Sequence, residues 1–105
     1  MDKKIANHYE MVKKYHPEYL DAVEKLGITV KKDGPLDEKN IQLIQLAASI
    51  AIRSEGAVHS HTKRALEAGA GKEEIRHAVL ILTSTLGFPS VMAGLSWVND
   101  ILAEV

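Results

Sequence analysis

Hydrophobic positions recur along most of this chain at intervals of three and four residues, which is the spacing of one face of an α-helix. Proline, glycine and short polar clusters separate the periodic stretches. The pattern predicts six helices and no strand, and therefore an all-α fold. The predicted helices cover residues 2–16, 17–27, 37–53, 57–68, 72–86 and 90–104.

Local signals mark several helix ends. Gly27 is interpreted as the left-handed cap of the second helix, and Gly69 as the end of the fourth. Asp37 is expected to cap the start of the third. A chain of 105 residues with 46% hydrophobic side chains suits one domain. We expect residues 1–35 to form an N-terminal helical hairpin and connection, and residues 36–105 to form the core.

The third predicted helix is hydrophobic around nearly its whole circumference, so we expect it to be the central helix. Its polar exceptions fall on one narrow stripe and are Gln42, Gln45, Ser49 and Arg53. This stripe has two interpretations: a partly wetted groove between neighbouring helices, or the floor of a ligand pocket.

The last two predicted helices carry more hydrophobic surface than one small domain can cover. Leu80 and Ile81 lie off the core face of the fifth helix, and Met92, Trp97 and Ile101 lie off that of the sixth. A contact between subunits explains the excess, so the sequence predicts a homo-oligomer. For the sixth helix, a pocket wall is the alternative.

Charge and composition exclude several classes of function. Thirteen basic and fourteen acidic residues nearly cancel and form no long block, which argues against nucleic-acid and membrane partners. The absence of cysteine excludes disulfides, thiolate-bound zinc and thiol chemistry. No signal segment or bilayer-spanning run is evident, so a cytoplasmic location is expected.

Two histidines of the fourth predicted helix are candidates for chemistry. His61 shares a face with Val58, Thr62 and Ala65, and it is either a hydrogen-bonded core residue or a proton-transfer group. His59 lies on another face, as a pocket-rim or surface residue. Histidines two positions apart on a helix do not share a face, so a zinc pair is not expected. We predict no metal and no cofactor.

Arg53 and Ser54 stand just before the fourth helix. A guanidinium beside a helix N-terminus can hold a carboxylate, although a solvated helix end explains Arg53 equally simply. Ser54 is expected to act as the N-cap rather than as a nucleophile, because the sequence places no base beside it. Together with Gln42, Gln45, Ser49 and His59, these two residues form the predicted substrate-binding set around His61.

From about Leu36 onward the chain resembles the carboxymuconolactone decarboxylase and alkyl hydroperoxidase D-like superfamily. The redox branch has Glu, eleven residues, Cys, two residues, Cys, three residues and His. These four positions hold Gln42, Ser54, Ala57 and His61 here, followed by a matching alanine-glycine helix end and glutamate-rich helix start. The resemblance implies an all-α trimer or hexamer. Its redox chemistry is not inherited, because both thiols are missing.

The cysteine-free namesake of the family performs proton and carboxylate chemistry, so the resemblance leaves a decarboxylase, lyase or isomerase reading open, with His61 as acid or base. The alternative is a non-catalytic ligand-binding or assembly protein on the same fold. A straight helix from Gln42 to Ser54 spans about 18 Å. Gln42 and His61 therefore meet only if the helices cross favourably, if the helix breaks, or if a second subunit supplies one of them.

Overall fold

The computed structural model describes residues 3–105, with side chains from residue 7 onward. This part of the chain is helical and contains no strand, which confirms the all-α prediction. It falls into two compact units, residues 3–36 and Asp37–Val105. The helices are α1 Lys3–Tyr15, α2 Pro17–Lys32, α3 Glu38–Ala51, α4 Glu55–Glu67, α5 Lys72–Leu80, α6 Thr83–Leu86 and α7 Phe88–Leu102.

The first unit is the predicted helical hairpin of α1 and α2. The two helices contact each other, and the Tyr9 hydroxyl donates a hydrogen bond to the Glu24 carboxylate. The prediction that the second helix stops at Gly27 is wrong, because α2 continues to Lys32. Gly27 lacks the positive φ of a left-handed cap. One glycine inside a helix costs only about 1 kcal/mol, which the flanking helical residues tolerate.

The second unit is built around α3, α4 and α7, which all contact one another, while α5 packs against α7 and α3. Leu46 and Ile50 of α3 are fully buried, as expected for the central helix. The other core residues are Val58, Ala65, Ala70, Ile75, Val79, Val91, Val98 and Leu102. Ile101 was expected off the core face but is buried at 3% exposure, because α4 covers a second side of α7.

The predicted fifth helix is divided into α5 and α6, so the described chain has seven helices rather than six. At the break, the Thr83 hydroxyl donates to the carbonyl oxygen of Leu80, with the two oxygens 2.7 Å apart. A threonine side chain that binds a nearby carbonyl in this way competes with the backbone ladder of the helix. As predicted, Leu80 and Ile81 remain exposed.

A three-residue reversal places α4 back along α3. Helix α3 begins at the expected cap, where the Asp37 carboxylate accepts from the backbone N–H of Asn40 at 2.8 Å. After α3 ends, Arg53 takes a left-handed conformation with a φ of 56°. The Ser54 N–H then donates to the Ser49 carbonyl at 3.0 Å. The polar stripe of α3 therefore runs beside the first two turns of α4.

Candidate functional site

A hydrogen bond between α3 and α4 joins Gln42 and His61, two residues of the predicted site. The His61 Nδ1 atom lies 2.8 Å from the Gln42 Oε1 atom within one chain. The reversal at Arg53 makes this possible, since it brings the middle of α4 level with the start of α3. The long straight path from Gln42 to Ser54 therefore does not separate the two side chains, and no second subunit is needed for the contact.

The orientation of the Gln42 amide is fixed by Glu38, one helical turn earlier. The Gln42 Nε2 atom donates to the Glu38 Oε1 atom at 2.8 Å. A carboxylate only accepts hydrogen bonds, so the amide nitrogen must face Glu38 and the amide oxygen must face His61. An amide oxygen also only accepts, and Nδ1 of His61 must therefore carry the proton.

This arrangement selects one tautomer of His61. A neutral imidazole with its proton on Nδ1 has its lone pair on Nε2, which becomes the proton-accepting atom of the ring. The ring is half-buried, whereas Gln42 is fully buried. Gln42 is thus suited to position His61 and not to touch a ligand.

The next two residues of the stripe differ in what they can offer. Ser49 is 4% exposed, and its hydroxyl donates to the Gln45 carbonyl at 2.7 Å, so its hydrogen-bonding capacity serves its own helix. Gln45 is half-buried and its Oε1 atom is buried without a partner in the described chain. An unsatisfied buried acceptor costs about 1–3 kcal/mol, and a donor arriving from a ligand or subunit would remove that cost.

Arg53 and Ser54 occupy the turn at the other end of the stripe. Arg53 is exposed and donates from Nη1 to the Ser90 hydroxyl, with the two atoms 3.2 Å apart. Ser54 stands at the N-cap position of α4, as expected, but its side chain makes no capping hydrogen bond. A left-handed conformation is uncommon for a residue with a side chain. Arg53, with its strained backbone, lies where the sequence predicts that a ligand carboxylate binds.

His59 is more buried than the sequence reading allowed. It is only 5% exposed, so the surface alternative is wrong. Its Nε2 atom lies 3.0 Å from the Asp100 Oδ2 atom, and its Nδ1 atom is buried without a partner in the described chain. Donor atoms of Glu55, His59 and Asp100 all lie within 4.8 Å of one another, a grouping that could hold a metal ion. His59 and His61 have separate partners, as their helix positions require.

Two surface cavities of this unit are lined by other residues. One of about 180 Å³ is bounded by Lys63, Leu66, Glu67, Ile101, Glu104 and Val105. The other, of about 500 Å³, is a shallow opening bounded by Glu73, Glu74, Arg76, His77 and Leu80. None of the predicted site residues lines either of these two cavities.

Sequence reasoning missed Glu38 and Asp100. Glu38 could have been found, because it precedes Gln42 by four residues and such residues are neighbours on a helix. Asp100 could not, because 41 residues separate it from His59 and only the packing of α7 on α4 brings them together.

Comparisons with known proteins agree with the fold. Residues 17–100 match the model of the carboxymuconolactone decarboxylase family. An uncharacterized protein of Methanocaldococcus jannaschii is 31% identical over 99 residues, which is 94% of this chain and 92% of that protein. The crystal structure of an apo carboxymuconolactone decarboxylase family protein from Legionella pneumophila superposes with a TM-score of 0.85 at 25% identity. It covers 96% of this chain and 90% of that one. The chain belongs to the carboxymuconolactone decarboxylase family.

Proposed function

We propose that this protein binds a small carboxylic acid or lactone and that His61 transfers a proton to or from it. The observation that carries the proposal is the 2.8 Å contact between His61 Nδ1 and Gln42 Oε1. Glu38 and Gln42 together select the tautomer whose Nε2 atom accepts a proton. An imidazole held in one tautomer and one orientation is what general acid–base catalysis requires.

The far end of the polar stripe supplies the complement to a carboxylate. Arg53 and the first free N–H groups of α4 act in the same direction on an anion. His61 lies seven residues beyond Ser54, which corresponds to about 10 Å along the helix. The substrate would have its carboxylate several bonds from the reacting carbon. The half-buried Gln45, with its unpartnered oxygen, lies along the stripe between these two points.

The proton-transfer role of His61 limits the substrates that the protein could convert. A positioned histidine contributes about two to four orders of magnitude in rate, which is enough for an activated acid and too little for an unactivated one. The reaction class is therefore a lyase or isomerase step on an activated substrate. No protein thiol is available for peroxide reduction, since the chain has no cysteine.

The proposal includes a homo-oligomer, a trimer or a hexamer, in the cytoplasm. Exposed hydrophobic side chains of the second unit support this assembly, namely Ile44, Ile52, Leu80, Ile81, Phe88 and Met92. Ile52 adjoins Arg53 in the chain, and Phe88 precedes by two residues the Ser90 that Arg53 contacts. A second subunit packed against these side chains would cover the end of the site beside Arg53, where the carboxylate of the ligand would bind. No helix in the described part of the chain is long and apolar enough to cross a membrane.

A non-catalytic role on the same fold is the second candidate. The observation in its favour is that Gln42 is fully buried and both ends of its amide are hydrogen-bonded. In that case the contact with His61 serves to tie α3 to α4, and the protein binds its ligand without converting it.

The two candidates can be separated with three variants. A panel of carboxylic acids and lactones is first incubated with the protein and analysed by mass spectrometry for both binding and product. His61→Gln is expected to lower turnover by at least about a hundredfold while retaining binding. Gln42→Leu is expected to lower it less, because it removes only the orienting group. His77→Gln, an exposed histidine of α5, is the control and should match the wild type.

Urea denaturation of the same variants makes the result decisive. If His61→Gln unfolds easily and turnover per folded molecule is unchanged, the proton-transfer role is wrong and the structural role stands. If no compound of the panel is converted by the wild type but some are bound, the binding role is again favoured.

A further inference from the structure

We propose that Glu55, His59 and Asp100 form a binding site for a first-row divalent transition metal ion, with Zn²⁺ as the best-suited probe. The donor atoms of these three side chains lie within 4.8 Å of one another. One imidazole and two carboxylates are ligands that zinc accepts, and three protein ligands leave a fourth position for water or a substrate.

The geometry needs little adjustment. Zinc binds nitrogen and oxygen ligands at about 2.0–2.2 Å, so ligand atoms of a tetrahedral site are roughly 3.3 Å apart. His59 Nε2 and Asp100 Oδ2 already lie 3.0 Å apart. Glu55 stands one turn before His59 on the same helix, where residues four apart are neighbours. Glu55 and Asp100 are exposed, and their carboxylates can therefore move inward without repacking the core.

The charges around this cluster favour a cation. Asp100 is in the last turn of α7, where the helix dipole disfavours a carboxylate and where no basic residue is present. The carboxylate of Glu55 lies within 4.8 Å of the same point, so two anionic groups converge on one imidazole. A divalent ion would neutralise both carboxylates at once.

The buried Nδ1 atom of His59 limits how tightly the site can bind zinc. A neutral ring that binds metal through Nε2 carries its proton on Nδ1, and Nδ1 has no acceptor in the described chain. Histidine ligands usually donate this proton to an outer partner, whose loss costs about 10- to 100-fold in affinity. We therefore expect the site to bind zinc about 10- to 100-fold more weakly than a site whose histidine has such a partner.

The site is separate from the one proposed for proton transfer. His59 and His61 are two residues apart and point to different neighbours, Asp100 of α7 and Gln42 of α3. The metal proposal therefore does not depend on any reaction at His61, and a variant that removes metal binding tests it alone.

Isothermal titration calorimetry of the full chain, freed of metal by chelator, tests the proposal with ZnCl₂ and with MgCl₂. The wild type is expected to bind one Zn²⁺ per chain and to show no saturable binding of Mg²⁺, which prefers all-oxygen sites. His59→Gln, Asp100→Asn and Glu55→Gln are each expected to weaken Zn²⁺ binding at least tenfold. Zn²⁺ is also expected to raise the Tm of the wild type and not that of Asp100→Asn.

His77→Gln is the matched control. His77 follows Glu73 and Glu74 by four and three residues, so it offers the same ligand types on an exposed helix face. The His77→Gln variant should bind Zn²⁺ as the wild type does. The proposal is overturned if the wild type binds no Zn²⁺, or if His77→Gln loses as much affinity as Asp100→Asn. Since Glu55 and Asp100 are exposed, their variants keep the test valid even if His59→Gln fails to fold.

Discussion

The amide of Gln42 lies in the middle of a row of hydrogen bonds that runs from Glu38 to His61. The redox relatives that this chain resembles have a glutamate at this position. Here an amide joins the carboxylate of Glu38 to the ring of His61, donating to one and accepting from the other. A carboxylate at position 42 would face the carboxylate of Glu38 at the same 2.8 Å. In this chain the acidic group stands one helical turn before position 42, and glutamine is the residue that connects it to the histidine.

We predict that Gln42→Glu destabilises the folded protein at neutral pH. It replaces a fully buried donor with a negative charge that faces the carboxylate of Glu38, and this repulsion together with the burial of the new charge costs at least about 2 kcal/mol. Urea denaturation at pH 7 measures the loss. The double variant Glu38→Gln, Gln42→Glu is expected to recover part of it, because the new amide can donate to the new carboxylate. Additive effects of the two substitutions would contradict the assigned contact.

The left-handed backbone at Arg53 gives a second prediction at the scale of one residue. Glycine adopts this conformation freely, whereas any L side chain costs about 1–2 kcal/mol there. Arg53→Gly is therefore expected to be more stable than Arg53→Ala, by about 1 kcal/mol, although glycine is normally the less stable of the two in or near helices. Thermal unfolding of both variants checks the order. Equal stability would mean that Arg53 is not left-handed in solution.

At the scale of the helix, the sequence predicted the ends that are set by local chemistry. Asp37 accepts from the N–H of Asn40, and Gly69, with a φ of 96°, ends α4. The N–H groups of Gly69 and Ala70 then bind the carbonyls of Leu66 and Ala65, as in a Schellman cap. Gly27 is also a glycine at a predicted helix end, but α2 continues past it to Lys32. A glycine permits a left-handed turn, but the surrounding helical residues decide whether one forms.

The start of α5 depends on a carboxylate that titrates. The Glu74 carboxylate accepts from the Gly71 N–H at 2.9 Å and from the Lys39 ammonium at 2.9 Å. The Gly71 hydrogen bond first, and Lys39 second, hold the pKa of the Glu74 carboxyl below its ordinary value. A lowered pKa in the folded state means that this stabilisation is complete above pH 4.5 and is lost as the pH falls through the folded pKa.

We predict that Glu74→Gln reduces the loss of stability on acidification below pH 4.5. The glutamine oxygen still accepts from Gly71, but it does not titrate. Urea midpoints measured from pH 6 down to about pH 3, the range in which carboxyl groups gain protons, test this. Lys39→Met should keep most of the acid sensitivity, because the Gly71 hydrogen bond is the larger cause of the lowered pKa. The idea fails if Glu74→Gln and the wild type lose stability in parallel.

At the scale of the whole molecule, helix periodicity could predict the core but not which residues of different helices meet. Leu46, Ile75 and Val98 are buried, and each stands four residues before another buried hydrophobic residue of its own helix. The partner of His59 could not be predicted, because Asp100 reaches it only through the packing of α7 on α4. The meeting of Gln42 and His61 depended on the direction of one three-residue turn. Sites made by side chains distant in sequence are therefore the part of this protein that requires the tertiary structure.

The exposed hydrophobic residues of the second unit carry the last prediction. Leu80 is 51% exposed and Ile81 is 60% exposed, next to the break between α5 and α6. Apolar side chains that stay in water after folding mark a surface for association, and each fully buried one contributes about 1.5–3 kcal/mol. We therefore predict that the wild type is a homo-oligomer, which the family resemblance implies is a trimer or hexamer, and that Leu80→Ser with Ile81→Ser shifts it to smaller species.

Sedimentation velocity over a range of protein concentrations measures this shift. Val105→Ser, which removes a side chain that is 68% exposed and therefore more exposed than Leu80 or Ile81, should leave the oligomer unchanged. A monomeric wild type would refute the assembly. It would also leave Ile52 and Phe88 in water, and the carboxylate end of the proposed site without the wall that a neighbouring subunit would supply. Because a neighbouring subunit would cover the carboxylate end of the proposed site, loss of the oligomer should weaken binding of the acid as well. Measuring acid binding on the Leu80→Ser, Ile81→Ser protein therefore tests whether assembly and function depend on the same surface.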